Sequence, residues 1–419
     1  MPARWNSGVA DTFKDRYQEL FEKIGTGAVQ RERDHELPHE QLAWLVESGF
    51  SALLVPAEFG GGGARHSESL ELLAELARHD PHLAHIFRTQ LSTIDTALLD
   101  QTSPESPQTL AGIVAGDFYG AAILERSSAA VGTLETRVAR DGDGWRLNGR
   151  KYYSTSTLYA NRITVLAQLD HEHDHGEEAE LVSVVVPADA PGVERIDDWA
   201  GFGQQLTASG TTVFHDVALP GDAVRPNRGE EDLGGHTGAL LQVILLAVID
   251  GITRNAVDDA VAYVAARNRT FSNAAASSPR EDPIVQETVG DLIGRAYAVA
   301  SARHRASEAL DRSFAAARSG DPRRAAVAAQ EAQVEAAAAQ LVVVPNGLAV
   351  ATELFDVGGA STVDRDRAFD RHWRNVRTIA THNPHRNKAR LLGDVHLNGS
   401  ALENNFLAGR SGDSGPGGS

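Results

Sequence analysis

The chain has 419 residues, of which 42% are hydrophobic and 23% charged. That is a globular composition and too much chain for one simple core, so two or three packed units are expected. It contains no cysteine, which excludes disulfides and thiolate metal sites and leaves redox chemistry to a bound cofactor. The formal net charge of −18 argues against general binding to nucleic acid or to an anionic membrane. The opening residues, MPARWNSGVADTFKD, hold no apolar run of the signal-peptide kind, so a cytoplasmic location is expected.

Residues 1–116 read as an N-terminal helical domain. Phe13, Tyr17, Leu20, Phe21 and Ile24 recur at spacings of three and four and predict one buried helix face; Leu42, Leu45 and Val46 continue it in a second helix. LLVPAEFGGGGA (53–64) is a loop, because its proline and glycines break a helix. Helices are predicted over 67–78 and 83–99, then a turn at SPESP (103–107).

Residues 117–230 change period and predict a β domain. Thr136–Ala139 and Trp145–Asn148 flank Asp-Gly-Asp-Gly, a tight-turn signal. RITVLAQL (162–169), LVSVVVP (181–187) and TTVFHDVAL (211–219) are further strands. About six to eight strands are expected, all antiparallel. Between two of them lie His171, His173 and His175 in DHEHDHGEE. Alternating histidine and acid suggests a metal site, but a solvated charged loop is the stronger reading, and no metal is expected.

Residues 231–407 are helical and alanine-rich, with long helices predicted at 238–268, 283–319, 322–354 and 366–379. Long helices with short connections make a four-helix bundle. The apolar run Ala239–Ile249 is too short to span a bilayer and reads as a core segment. Residues 408–419 read as a flexible tail. The fold class expected is α+β, in the order helical domain, antiparallel β domain, four-helix bundle.

Four motifs in this order resemble the acyl-CoA dehydrogenase superfamily. LVPAEFGGGG (54–63) is similar to its V-P-x-E-Y-G-G-x-G loop and LNGRKYYST (147–155) to its I-N-G-x-K-x-W-I-T strand. ARNRTF (266–271) resembles its R-x-x-F-G turn, and LFDVGGAS (354–361) its glycine turn before the last helices. The resemblance implies an isoalloxazine ring held beside the strand ending in Thr155, whose hydroxyl or amide would hydrogen-bond flavin N5.

The chain departs from a dehydrogenase where the base should be. Dehydrogenases of that superfamily need a carboxylate to remove an α-proton, usually in Y-E-G-T. Here the matching stretch reads Thr381-His382-Asn383-Pro384, and Thr237–Ile249, the other seat, contains no acid. Of the family's T-E-P-x-A-G-S-D strand, LERSSAAVG (124–132) keeps only Glu125.

Trp373-Arg374-Asn375, then Arg377-Thr378 and His382-Asn383-Pro384, resemble the two-component flavin monooxygenase branch, as does KYYSTSTLYANR (151–162). That resemblance implies reduced FMN from a separate NAD(P)H-dependent flavin reductase, O2 as co-substrate, a flavin C4a-hydroperoxide, and a homotetramer. His382 and Thr155 are the expected catalytic residues, His382 as hydrogen-bond partner or acid–base group. Tyr153, Thr155, Ser156, Glu125, Arg269, Arg374, Asn375 and Arg377 are expected to hold the cofactor, the arginines as a phosphate clamp. Phe87, Gln90 and Asn383 are expected to face a small-molecule substrate, a sulfur compound before an amine. The other readings are an amine N-hydroxylase, an acyl-CoA dehydrogenase or oxidase with a displaced base, and an inactive oligomeric scaffold.

Overall fold

A computed structural model describes residues 11–100, 103–126, 134–170, 180–226, 235–270, 272–382 and 385–402. The loop histidines 171–175, Asn383 and the expected tail lie outside them. The helices are α1 (Asp11–Gly25), α2 (Ala28–Asp34), α3 (His39–Glu47), α4 (His66–His79), α5 (Pro81–Leu99), α6 (Ser106–Val114), α7 (His236–Ala266), α8 (Pro283–Ala317), α9 (Pro322–Glu353), α10 (Asp370–Ala380) and α11 (His385–Asn398). The strands are β1 (Tyr119–Ala122), β2 (Arg137–Asp141), β3 (Gly144–Lys151), β4 (Arg162–Leu169), β5 (Leu181–Pro187), β6 (Val193–Ile196), β7 (Thr211–Leu219) and β8 (Arg225–Pro226). They form two compact units. One comprises residues 1–88, 201–206 and 234–403; the other comprises 89–200, 207–233 and 404–419. The division falls within α5, after Arg88.

The first unit is helical. Tyr17, Phe21 and Ile24 are buried as their spacing predicts. The rings of Tyr17 and Phe21 both meet Phe50 edge-on, and Phe50 meets Phe87 at 5.1 Å. Two long helices begin on aspartate caps followed by proline. Asp282 accepts from the Ile284 amide, and Asp321 from the Arg323 and Arg324 amides; each cap satisfies orphan donors, and proline at the first helical position costs no hydrogen bond. Helix α7 packs against α4, α8, α9 and α10, so it is apolar nearly all round. By composition α7 and residues 322–357 are each long enough to cross a membrane, but 83% of α7's most apolar window is buried in protein. A Cβ on Gly251 would stand 2.3 Å from the Ala74 carbonyl oxygen, so glycine is what lets α7 lie this close to α4.

A buried group of charges ties α4, α7 and α8 together. Arg254 donates to Asp250 at 2.7 and 2.9 Å and to Glu71 at 3.0 Å. Arg303 joins both acids, at 3.0 Å from Asp250, with a short contact to Glu71. All four side chains are at most 4% exposed. Burial pushes the Glu71 carboxyl up, but Arg303 and Arg254 outweigh it and hold it well below the carboxylate range.

The second unit holds α6 and a single eight-stranded sheet, ordered β6-β7-β3-β2-β4-β5-β8 with β1 on β4. The all-antiparallel expectation is corrected. β1 runs parallel to β4 from Tyr119↔Arg162 to Ala122↔Val165, and β2 is parallel to β4 at Arg137↔Gln168. The cause is the hairpin partner: β3 pairs β2 on one side and β7 on the other. The chain then passes through 152–161 before β4, which enters beside β2 in the same direction. The core of this unit is Val138, Leu147, Ile163, Val165, Val184, Phe214 and their neighbours.

Candidate flavin-site residues

In the second unit the segment after β3 carries the motif residues. Lys151 is fully buried and meets Glu125 at 2.7 Å. Glu125 also accepts from the Glu135 amide at 2.7 Å and the Thr136 amide at 3.0 Å. Burial raises the Glu125 carboxyl, but Lys151, Thr136 and Glu135 prevail and hold it below its usual range. Both of its oxygens are thus engaged in pinning the chain on either side of residues 127–133. Its placement is that of an anchor of β2 and β3, not the cofactor ligand expected.

Beyond Lys151 the backbone turns sharply. Tyr153 and Ser156 adopt left-handed conformations with φ of 60° and 71°. The Thr155 amide is spent on the Tyr153 carbonyl at 2.9 Å and the Ser156 amide on Thr207 at 3.0 Å. Only the hydroxyl of the two N5-bonding groups expected at Thr155 therefore remains for a ligand. It ends a hydroxyl chain, with Thr155 Oγ1 2.9 Å from Ser209 Oγ and Ser209 Oγ 2.8 Å from Thr207 Oγ1. Thr155 is half-buried and Tyr153 is 45% exposed. The Ser154 hydroxyl is buried with no hydrogen-bond partner among the described residues. A half-open hydroxyl, an orphaned donor and an exposed ring on one strained turn fit the polar edge of a heteroaromatic cofactor. Gln90, expected at the substrate, bridges the backbone: its amide donates to the Asp117 carbonyl at 3.2 Å and accepts from Tyr119 at 2.9 Å.

In the first unit the other motif residues meet around α10. Asn375, 1% exposed, accepts from the Gln204 amide at 2.6 Å and donates to Glu32 at 3.3 Å. Glu32 also takes Arg374 at 2.7 Å and lies 3.1 Å from His82 Nε2. Arg374 further binds Asp370 at 2.7 Å and the Phe202 carbonyl at 3.0 Å. The phosphate-clamp expectation for Arg374 does not match this placement, since two carboxylates hold it in a structural network. Asn375 is likewise a buried strut. Arg377 is half-buried, and no carboxylate of the described residues pairs with it. Arg269 is exposed just past α7. Phe87 is fully buried against Phe50 and packs in the core.

The strut has a purpose at its far end. Residues 201–206 lie against α10, where a Cβ on Gly203 would stand 2.1 Å from the Arg374 carbonyl oxygen. That close approach fixes Gln204, whose Oε1 lies 3.1 Å from His85 Nδ1. His85 is 7% exposed; burial, then Arg88, push its pKa down to about 4. His382 follows α10 in a turn, its amide on the Ile379 carbonyl at 3.0 Å. The residue as a whole is exposed. Desolvation first, then Arg88 and His85, lower its pKa to about 3. Both side chains that act on it are basic residues. Arg88 and Gln204 were not singled out from the sequence. Arg88 was within reach, because HLAHIFR places it on one helix face with His85; Gln204 gives no signal.

Glu32, His82 and Asn375 also line a cleft of about 340 Å³ with Arg371 and His372. Those last two side chains are committed to Asp259, at 2.6 and 2.7 Å, so the cleft offers little spare chemistry.

Residues 10–117, 125–217 and 243–387 match the N-terminal, middle and C-terminal domain models of acyl-CoA dehydrogenase. The chain belongs to the acyl-CoA dehydrogenase family. Among its relatives in that family, dibenzothiophene monooxygenase of Mycolicibacterium goodii is 29% identical, over 91% of this chain and 92% of its own length. The probable FMNH2-dependent monooxygenase SfnC of Pseudomonas putida is 27% identical over 91% and 93%. FMN-bound TdsC from a Paenibacillus species shares the fold, with a TM-score of 0.84 and 24% identity over 94% of this chain and 99% of that one.

Proposed function

We propose that this acyl-CoA dehydrogenase family member is a reduced-FMN-dependent monooxygenase that transfers one oxygen atom of O2 to a small organic substrate, a sulfur compound in the first instance. The observation that carries the reading is His382. By sequence it stands where a dehydrogenase carries its base, and the groups that shift its pKa are the basic side chains Arg88 and His85, with no carboxylate among them. Proton abstraction from a thioester has no base there. An oxygenation needs instead a hydrogen-bonding group and shelter from water.

Reduced flavin, when bound, supplies the two electrons that activate O2. The chain's own residues hold and orient. Thr155 presents its hydroxyl to the ring, and Tyr153 and Ser156 shape the turn that presents it. Arg377 and Arg269 are the arginines assigned here to the terminal phosphate, because Arg374 is held by Glu32 and Asp370 and Asn375 by Gln204 and Glu32. With a pKa near 3, His382 is uncharged at neutral pH. It therefore acts as a neutral donor and acceptor, not as an imidazolium acid.

A separate flavin reductase follows from the use of reduced FMN. A homotetramer is supported by the exposed apolar side chains Ile284, Tyr297, Val327 and Leu397 on the bundle helices. An amine remains the second substrate class.

The test mixes the protein and reduced FMN with oxygenated buffer in a stopped-flow instrument. A lag before flavin reoxidation, and product from a sulfide only when a reductase is present, are expected. Reoxidation at the rate of free flavin, together with bleaching of bound oxidised flavin by an acyl-CoA, would overturn the reading.

A further inference from the structure

We propose that Ser209 is a positioning residue for the flavin: with Thr207 it makes a hydroxyl chain that runs in either direction, so that Thr155 accepts a hydrogen bond from flavin N5 when that nitrogen carries hydrogen and donates one when it does not. The proposal rests on the monooxygenase reading, which brings the ring of FMN to Thr155, and it assigns the residues behind that contact.

The backbone lines the three hydroxyls up. The Ser154 amide donates to the Gly210 carbonyl at 3.1 Å and the Ser156 amide to the Thr207 carbonyl at 3.0 Å, so 154–156 and 207–210 run side by side. In a regular strand, residues two apart are about 6.6 Å apart. Ala208 takes a left-handed conformation, φ 54°, and that kink gathers the Thr207 and Ser209 hydroxyls to 2.8 Å. The far side is fixed too. Asp198 accepts from the Thr211 amide and hydroxyl, both at 2.7 Å, and a Cβ on Gly210 would stand 2.4 Å from Asp198 Oδ1. Ser209 is 7% exposed and Thr207 0%, while Thr155 is half-buried. The chain therefore starts at the open turn and runs into protein.

A hydroxyl has one proton to donate and lone pairs to accept with, and in each of the two links either oxygen can be the donor. Reduced flavin bears hydrogen on N5 and oxidised flavin does not. Facing N5–H, Thr155 accepts and turns its own proton to Ser209, which turns its proton to Thr207. Facing bare N5, the order reverses: Thr207 donates to Ser209, Ser209 to Thr155, and Thr155 to the nitrogen. No proton leaves its oxygen; three O–H bonds rotate together, and each link polarises the next. The two redox states do not need Ser209 equally. With reduced flavin, loss of Ser209 strands a donor, the Thr155 O–H. With oxidised flavin it strands only an acceptor lone pair, which costs less. Ser209 therefore favours reduced FMN, the form the reaction consumes.

The experiment titrates full-length protein with oxidised FMN and, under anaerobic conditions, with reduced FMN, and takes the ratio of the two dissociation constants. Ser209→Ala is expected to weaken reduced FMN more than oxidised FMN and to move the ratio about fivefold, in keeping with one stranded donor. That change lowers the potential of bound FMN by about 20 mV, at about 30 mV per tenfold for a two-electron couple. Thr155→Val should move the ratio in the same direction, and Ser209→Thr, which keeps the hydroxyl, should return it to within about twofold of the wild type. Equal weakening of both forms, a larger loss of the oxidised form, or a Thr155→Val ratio equal to that of the wild type would overturn the proposal and leave the monooxygenase reading standing. A wild type that binds neither form of FMN sinks both. If Ser209→Ala does not fold, Thr207→Val, which ends the chain one hydroxyl earlier, takes its place: a shift in the same direction by a smaller factor is expected, and an unmoved ratio overturns the proposal.

Discussion

Consider Glu71→Gln, which removes one charge from the buried group joining α4, α7 and α8 and keeps its shape. Glu71 meets Arg254 at 3.0 Å and Arg303 still closer. At an effective dielectric of about 20, a contact of this length is worth roughly 5–6 kcal/mol before desolvation is subtracted. The substitution leaves two buried guanidinium groups sharing Asp250, with Glu75 3.7 Å from Arg254. Breaking a buried pair by removing one partner costs about 3–5 kcal/mol, and that is the loss expected here. The assay is urea unfolding at pH 7, reading the midpoint shift at constant m. The sign with pH follows from the lowered Glu71 pKa. Its stabilisation is fully present above the unfolded glutamate value and is lost as pH falls toward the folded one, so the gap between wild type and variant should narrow in acid. A variant within about 1 kcal/mol of wild type at pH 7, with m unchanged, would refute the claim that these charges hold the unit together.

Three further outcomes are expected. His382→Asn should lower product formed per reduced FMN consumed by about 10²-fold, with the balance appearing as hydrogen peroxide; unchanged coupling would remove His382 from the chemistry. His85 and His372 are both buried, with pKa values pushed down to about 4 by desolvation and then by Arg88 and Arg371 respectively. The unfolded chain binds protons that these rings refuse, so stability should fall as pH drops from about 6.5 to 4, by up to ~3 kcal/mol for each ring; a flat melting profile over that window would contradict their neutral burial. Arg374→Met should cost about 1–3 kcal/mol of stability and leave reduced-FMN affinity within about twofold, whereas Arg377→Met should weaken that affinity about tenfold or more, both read by equilibrium titration under anaerobic conditions. The reverse pattern would return the phosphate to Arg374.

The fold was legible where the chain repeats itself. The long bundle helices carry a sustained apolar period and aspartate–proline starts, so their bounds follow closely from sequence. β1 was not legible: Tyr119–Ala122 is too short to alternate, and the parallel pairing it enters depends on which strand β3 takes as second partner. Within the candidate site the motif strings name the segments but not the partners of their side chains. Arg374 and Glu125 look from sequence like free charges near a cofactor. Arg374's partner Glu32 lies outside the motif strings that carried the resemblance; Lys151, the partner of Glu125, lies inside LNGRKYYST, but nothing in that string says which acid it faces. His382 was found because a residue type was missing there. Arg88 went unremarked because nothing in a helix of mixed polarity says which neighbour a charge will face.

The buried charges also impose an order in time. Glu71 precedes Arg303 by 232 residues along the chain, so during synthesis it leaves the ribosome long before its partner is made. The helical unit draws on residues 1–88 and again on 234–403, and the segment between them supplies nearly all of the sheet. The sheet is therefore free to form while the first helices wait with an uncompensated acid. That acid opposes burial of α4 against any early substitute for α7 and α8. The cluster thus ties α4 to two helices encoded much later in the chain, and its acids are compensated only where both arginines are present.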